Sequence, residues 1–193
     1  MVKNVFKSLI KLLIGLAPLG AVSIIFILLM FTGPGPEHKI SSYIGENLIY
    51  SEQLDEQGMS FEDVADYTFR FLRELNIALL SLTMAMSFAW TVASHYLNIN
   101  APGKAKLYFI HWSIYSGILI GLLVAIAFYF TETTAYQAQQ FLSGGGKFII
   151  FIGSVVFYTL MYYMGVLLGT ARYARSSVLL ANKLPGGFWK ILL

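Results

Sequence analysis

Two histidines, His95 and His111, are the residues whose type and spacing could support redox chemistry. Each lies at one end of a long apolar stretch, so two antiparallel membrane helices would bring both rings to a similar depth. Two imidazoles at one depth are the axial ligand pair that a b-type haem needs. The same histidines also fit a belt of polar and aromatic side chains at a membrane surface, with Tyr96, Tyr108 and Trp112. We therefore expect the belt, with no cofactor and no metal, and haem binding is the alternative.

A glycine-rich run that ends in lysine is similar to a phosphate-binding loop. It reads Ser-Gly-Gly-Gly-Lys over residues 143–147. That motif needs an earlier glycine, where Phe141 stands, and a hydroxyl residue after the lysine, where Phe148 stands. We interpret the run as a flexible turn before the last apolar stretch.

Groups that carry out catalysis or move charge are scarce. The sequence has no cysteine, which excludes disulfides, thiolate metal sites and thiol nucleophiles. Its long apolar stretches contain no Asp, Glu or Arg, and Lys11 is their only amine. Pumps and most transporters need an ionisable group within the membrane. Because catalytic groups are scarce, we expect that the protein is not an enzyme. A small transporter or channel subunit is a second alternative, although the stretches lack the buried charge that would favour it.

The composition assigns the chain to the membrane class. Of its 193 residues, 57% are hydrophobic and 12% are charged, with a mean hydropathy of +0.68. A spanning helix needs about 20 mostly apolar residues, and four stretches reach that length: 9–31, 76–97, 107–130 and 148–171. The sequence predicts an all-α integral membrane protein, a single membrane domain over residues 1–193 with four transmembrane helices. The first stretch exceeds a signal-peptide core in length, which favours an uncleaved signal anchor.

Charge alternates along the connections. The N-terminal segment, the second connection and the C-terminal tail contain nine of the 13 basic residues and no acidic residue, whereas the first and third connections contain all ten acidic residues. The nine are Lys3, Lys7, Lys11, Lys104, Lys106, Arg172, Arg175, Lys183 and Lys190. Because Lys and Arg concentrate in cytoplasmic loops, we expect a multi-pass membrane protein with both termini in the cytoplasm.

Two segments extend beyond the predicted spans. The outer segment, residues 32–75, shows apolar residues at helical spacing in two places, and its second helix is expected to continue into the second span. The tail, residues 172–193, is predicted to be cytoplasmic. With Lys104 and Lys106 it forms a basic surface that also contains Arg172, Arg175, Lys183 and Lys190. We expect this surface to contact anionic lipids or a protein partner, and we expect no sequence-specific nucleic-acid binding.

Small residues recur at four-residue spacing in the last two spans. The third span contains Ser113, Gly117, Gly121 and Ala125, and the fourth contains Gly165 and Gly169. Small residues four apart allow helix backbones to approach closely, which drives association in lipid. The sequence predicts a helix-packing face and leaves open whether it acts within the chain or between chains.

Three short patches resemble a family of four-span inner-membrane proteins from conjugative plasmids and integrative conjugative elements. Residues 35–38 (Gly-Pro-Glu-His), with Glu46 eight residues after the histidine, are similar to its Glu-His element. Residues 65–72 resemble its aromatic helix before the second span, and residues 108–112 resemble its Tyr- and His-rich start of the third. The family's arginine-rich inner loop is reduced here to residues 98–106.

The resemblance implies a location in a bacterial inner membrane. It also implies a component of a conjugative type IV secretion apparatus that contacts its coupling ATPase. Together with the packing face and the scarcity of catalytic groups, it predicts a non-catalytic scaffold or accessory subunit of a larger envelope complex. The partners would be other membrane proteins, and an oligomer is compatible with the sequence. The alternatives are the haem-binding anchor of a redox complex and the small transporter or channel subunit.

Overall fold

The structure is a computed structural model that describes residues 2–31, 61–96, 105–132 and 142–170. These ranges contain four α-helices, α1 (Val2–Leu29), α2 (Phe61–Tyr96), α3 (Ala105–Glu132) and α4 (Gly144–Thr170). Each helix is long and apolar enough to cross a membrane, so the predicted all-α fold with four such helices is confirmed. The first predicted outer helix and the predicted tail lie outside the described residues.

Helix α2 is the longest of these helices, at 36 residues. It begins at Phe61 and therefore includes the last part of the predicted outer segment. Near this end Arg70 Nε lies 3.1 Å from Glu74 Oε1, an ion pair between exposed side chains one helical turn apart. Such a pair contributes only a few tenths of a kcal/mol. The helix therefore depends mainly on its buried face, which includes Leu75 and Leu79.

The chain divides into two compact units, and each unit contains part of every helix. The first comprises Met1–Ala21, Ser81–Leu122 and Tyr158–Leu193. Its buried side chains include Leu12 and Leu16 from α1, Leu119 from α3 and Met161 from α4. This unit therefore has an apolar core to which distant parts of the sequence contribute.

The second unit comprises Val22–Leu80 and Leu123–Phe157. In it the rings of Phe71 and Phe130 lie 6.4 Å apart, and the guanidinium of Arg73 lies 4.4 Å from the ring centre of Phe31. This cation–π contact ties the end of α1 to α2. Aromatic contacts thus add to a core in which aliphatic side chains such as Leu75, Leu79 and Leu123 are also buried.

The outer surfaces of the helices are strongly apolar. In the most apolar window of each helix only 28–33% of residues are buried. Large side chains such as Ile14, Phe88 and Ile114 are more than half exposed. Soluble monomers rarely expose contiguous apolar patches of this kind. Apolar exposure on all four helices is what a multi-pass membrane protein presents to lipid.

Candidate functional site

The small-residue stripe of α3, defined as Ser113, Gly117, Gly121 and Ala125, lies on the outside of the fold. All four residues are exposed. Apart from the adjoining residues and the backbone of α3 itself, no atom of the described residues lies within 4 Å of the position that a Cβ would take at Gly117 or Gly121. The stripe therefore leaves room for another helix to approach, and the described part of the chain does not supply that helix.

Gly165 of α4 has the opposite environment. It is buried, and a Cβ there would stand 2.7 Å from Leu16 Cγ and 3.2 Å from Leu12 Cδ1, with Leu16 Cδ2 closer still. Glycine is needed here because α1 side chains occupy the space of a methyl group. Gly165 thus packs within the chain, whereas the environment of Gly169 lies outside the described residues.

Tyrosines of α4 also pack inward. Tyr158 and Tyr162 are fully buried, and Ser116 Oγ of α3 lies 3.5 Å from Tyr162 Oη, at the limit of a hydrogen bond. The ring of Tyr163 meets that of Trp112 edge-on at 5.0 Å. These contacts make Tyr162 and Tyr163 part of the packing between α3 and α4.

A row of buried hydroxyl groups runs along one side of α2. Thr91 Oγ1 donates to Ser87 O at 2.9 Å, and Ser94 Oγ donates to Thr91 O at 3.1 Å. Bonds of this kind satisfy a hydroxyl within its own helix. The hydroxyls of Thr83 and Ser87 are also buried, and the described part of the chain offers them no hydrogen-bond partner.

The histidine pair is placed only in part. His111 is half-buried in α3, and its Nδ1–H donates to Leu107 O at 2.8 Å. This bond leaves Nε2 as the nitrogen that could bind a metal. His95 belongs to α2, but the position of its side chain lies outside the described residues. Within the described ranges no three His, Cys, Asp or Glu side chains form a group that could hold a metal ion.

The glycine-rich run before the last apolar stretch is helical, which corrects its interpretation as a flexible turn. Helix α4 begins at Gly144, and Ser143 is its N-cap, because Ser143 Oγ accepts from Gly146 N at 2.8 Å. Ser143 O also accepts from Lys147 N at 2.9 Å. The serine cap offsets the low helix propensity of the three glycines. The interpretation as a turn did not take this cap into account.

A cavity of about 300 Å³ at the start of α4 was not predicted. It lies between the end of α3 and the beginning of α4, and both Glu132 and Lys147 line it. These two charges flank the third connection in the sequence. The two flanking charges were the only hint of this cavity in the sequence. The structure shows that both residues line one cavity.

The predicted basic surface lies almost wholly outside the described residues. This applies to Lys104, Arg172, Arg175, Lys183 and Lys190 and to the side chain of Lys106. Its proposed contacts therefore stay predictions.

Comparison with models of known protein families, with curated proteins and with solved structures finds no match.

Proposed function

We propose that this chain is a non-catalytic, multi-pass subunit of a protein complex in a bacterial inner membrane. The small-residue stripe of α3 is the surface on which a helix of another subunit packs. The observation that carries this proposal is the open space at Gly117 and Gly121, where no described atom lies within 4 Å of a Cβ position. In lipid, apolar burial does not drive helix association, so close backbone approach through small residues is the main attraction available.

The exposed surface supports a membrane location. Most of each apolar window is unburied, and the exposed side chains include Ile25 of α1 and Ile118 of α3, both more than half accessible. Burying such groups in hydrocarbon is favourable by about 25 cal/mol per Å². The distribution of Lys and Arg among the connections supports cytoplasmic termini.

The complex favoured by the resemblance is a conjugative type IV secretion apparatus. In this proposal the membrane helices hold the chain beside the other subunits, and the basic cytoplasmic surface contacts the coupling ATPase or anionic lipids. In this proposal the role is positional: the chain holds its partners in place, and the chemistry belongs to them.

Cysteine cross-linking in native membranes tests the stripe directly, because the natural chain has no cysteine. Ser113→Cys and Ala125→Cys place a single thiol at either end of the stripe. Phe88→Cys is the control, an exposed position on α2. We expect a thiol-reactive cross-linker to give a specific adduct from the two stripe positions, with the partner identified by mass spectrometry.

The outcomes separate the general proposal from the specific one. A coupling ATPase or another transfer protein in the adduct supports the conjugative complex, and a different membrane protein supports the subunit role alone. If Ser113→Cys and Ala125→Cys give no more adduct than Phe88→Cys, the stripe is not a subunit contact.

A haem-binding anchor is the second candidate, and the hydrogen bond of His111 favours it. Donation from Nδ1 to a backbone carbonyl orients the ring and leaves Nε2 available, as in many metal-binding histidines. Absorption spectra of the purified protein test this candidate. A Soret band that disappears in both His111→Ala and His95→Ala would support it, and a spectrum without that band would eliminate it.

A further inference from the structure

The cavity at the start of α4 combines aromatic walls with one charge of each sign. Its walls are formed by Phe128 from α3 and by Phe148 and Phe151 from α4. Glu132 and Lys147 supply the charges. A volume of about 300 Å³ is at the lower end of the range for small-molecule sites. The cavity therefore fits a small polar group that is attached to an apolar body.

The two charges face the cavity without forming an ion pair with each other. No ion pair joins Glu132 to Lys147 in the described part of the chain, whereas Arg70 and Glu74 of α2 do form one. Glu132 is exposed and Lys147 is half-buried. A ligand with a negative and a positive group can thus meet both side chains at once.

The cavity also lies where two candidate spans end. The apolar segment of α3 is Ile110–Glu132, and that of α4 is Gly144–Val166. The first ends and the second begins at residues that line the cavity. If the helices cross a membrane, as the proposed function requires, this is the depth of the lipid headgroups.

We propose that this cavity binds the headgroup of a zwitterionic phospholipid that carries a primary ammonium. The lipid phosphate meets Lys147, its ammonium meets Glu132, and its apolar part lies against Phe148. A primary ammonium can donate hydrogen bonds to a carboxylate, whereas a trimethylammonium has no N–H. An anionic headgroup without an amine would leave Glu132 with no cationic partner, so the charge pattern favours the zwitterion.

Native mass spectrometry of the full chain, purified in detergent, tests the proposal. The probes are phosphatidylethanolamine, phosphatidylcholine and phosphatidylglycerol with identical acyl chains, added at equal concentration. We expect phosphatidylethanolamine to be retained about fivefold more than either of the others, which corresponds to the loss of one charge-assisted contact in the weaker ligands.

Two kinds of variant locate the site. Gly144 lines the cavity, and a Cβ there would meet no atom within 4 Å, so Gly144→Leu fills the space and should abolish the preference. Gly153→Leu is the matched control, because Gly153 is equally open but does not line the cavity. Gly153→Leu should retain the preference.

Charge variants assign the two ends of the headgroup. Glu132→Gln should remove discrimination between ethanolamine and choline while phosphate binding persists. Lys147→Gln should lower retention of both lipids about fivefold, whereas Lys7→Gln, at an exposed lysine of α1, should change nothing.

The proposal is overturned if the natural chain shows no preference for phosphatidylethanolamine. It is also overturned if Gly144→Leu and Lys147→Gln retain this lipid as strongly as the natural chain. Flotation with liposomes distinguishes the two levels of failure. A chain that does not float contradicts the membrane location itself, whereas a chain that floats without headgroup preference contradicts only the lipid site.

Discussion

The stripe of α3 and Gly165 of α4 both consist of small residues in apolar helices, but their environments are opposite. At Gly165 a methyl group would collide with Leu16, whereas at Gly117 and Gly121 it would meet no described atom. Spacing alone therefore specifies that a helix face allows close approach. It does not specify whether the approaching helix belongs to the same chain.

The inward face of each helix explains the difference. On α3 the buried residues include Trp112, Ser116, Leu119 and Leu123, and each of these four lies one or two residues before a member of the stripe. One residue turns an α-helix by about 100° and two residues by about 200°, so the stripe points away from the core. On α4, Gly165 lies four residues after the buried Met161 and shares its inward direction.

The largest expected effect is at the packed glycine. Gly165→Ala places a methyl group against Leu16 Cγ and Leu12 Cδ1, and overpacking of this kind typically costs 1–3 kcal/mol. We expect the free energy of unfolding to fall by about 2 kcal/mol, measured by denaturation with SDS in mixed micelles.

A second substitution checks the cause. Leu16→Ala removes the colliding atoms, so Gly165→Ala should be less harmful in the Leu16→Ala background than in the natural chain. If the two effects simply add, the collision is not the reason for the loss.

The next effect concerns assembly rather than folding. Gly117→Leu with Gly121→Leu enlarges two exposed positions and should change the free energy of unfolding by less than about 0.5 kcal/mol. The same double variant should eliminate the cross-links formed through Ser113→Cys, because a partner backbone can no longer approach. Loss of folding would place these glycines in the core, and retained cross-links would remove the stripe from the interface.

The sequence predicted where the helices lie along the chain better than it predicted which side of each helix is buried. Runs such as residues 107–130 are apolar throughout, so their helical character follows from length and composition. The same uniform apolarity hides which side of α3 faces the core, because a helix in lipid is apolar on both sides. For this reason the sequence could not predict that Gly117 faces outward. The cavity at Lys147 was not predictable either, because it depends on how α3 and α4 meet.

The smallest expected effect is at Gly20, whose surroundings are intermediate between the open space at Gly117 and the tight packing at Gly165. A Cβ at Gly20 of α1 would stand 3.4 Å from Met161 Cε, an ordinary contact with the flexible end of a side chain. Gly20→Ala should therefore change the free energy of unfolding by less than about 0.5 kcal/mol, even though Gly20 is buried. Gly153→Ala, in open space, is the reference for a glycine that meets nothing. If Gly20→Ala proved as harmful as Gly165→Ala, burial itself and not the collision with Leu16 would decide the cost, and the comparison of the two faces would lose its physical basis.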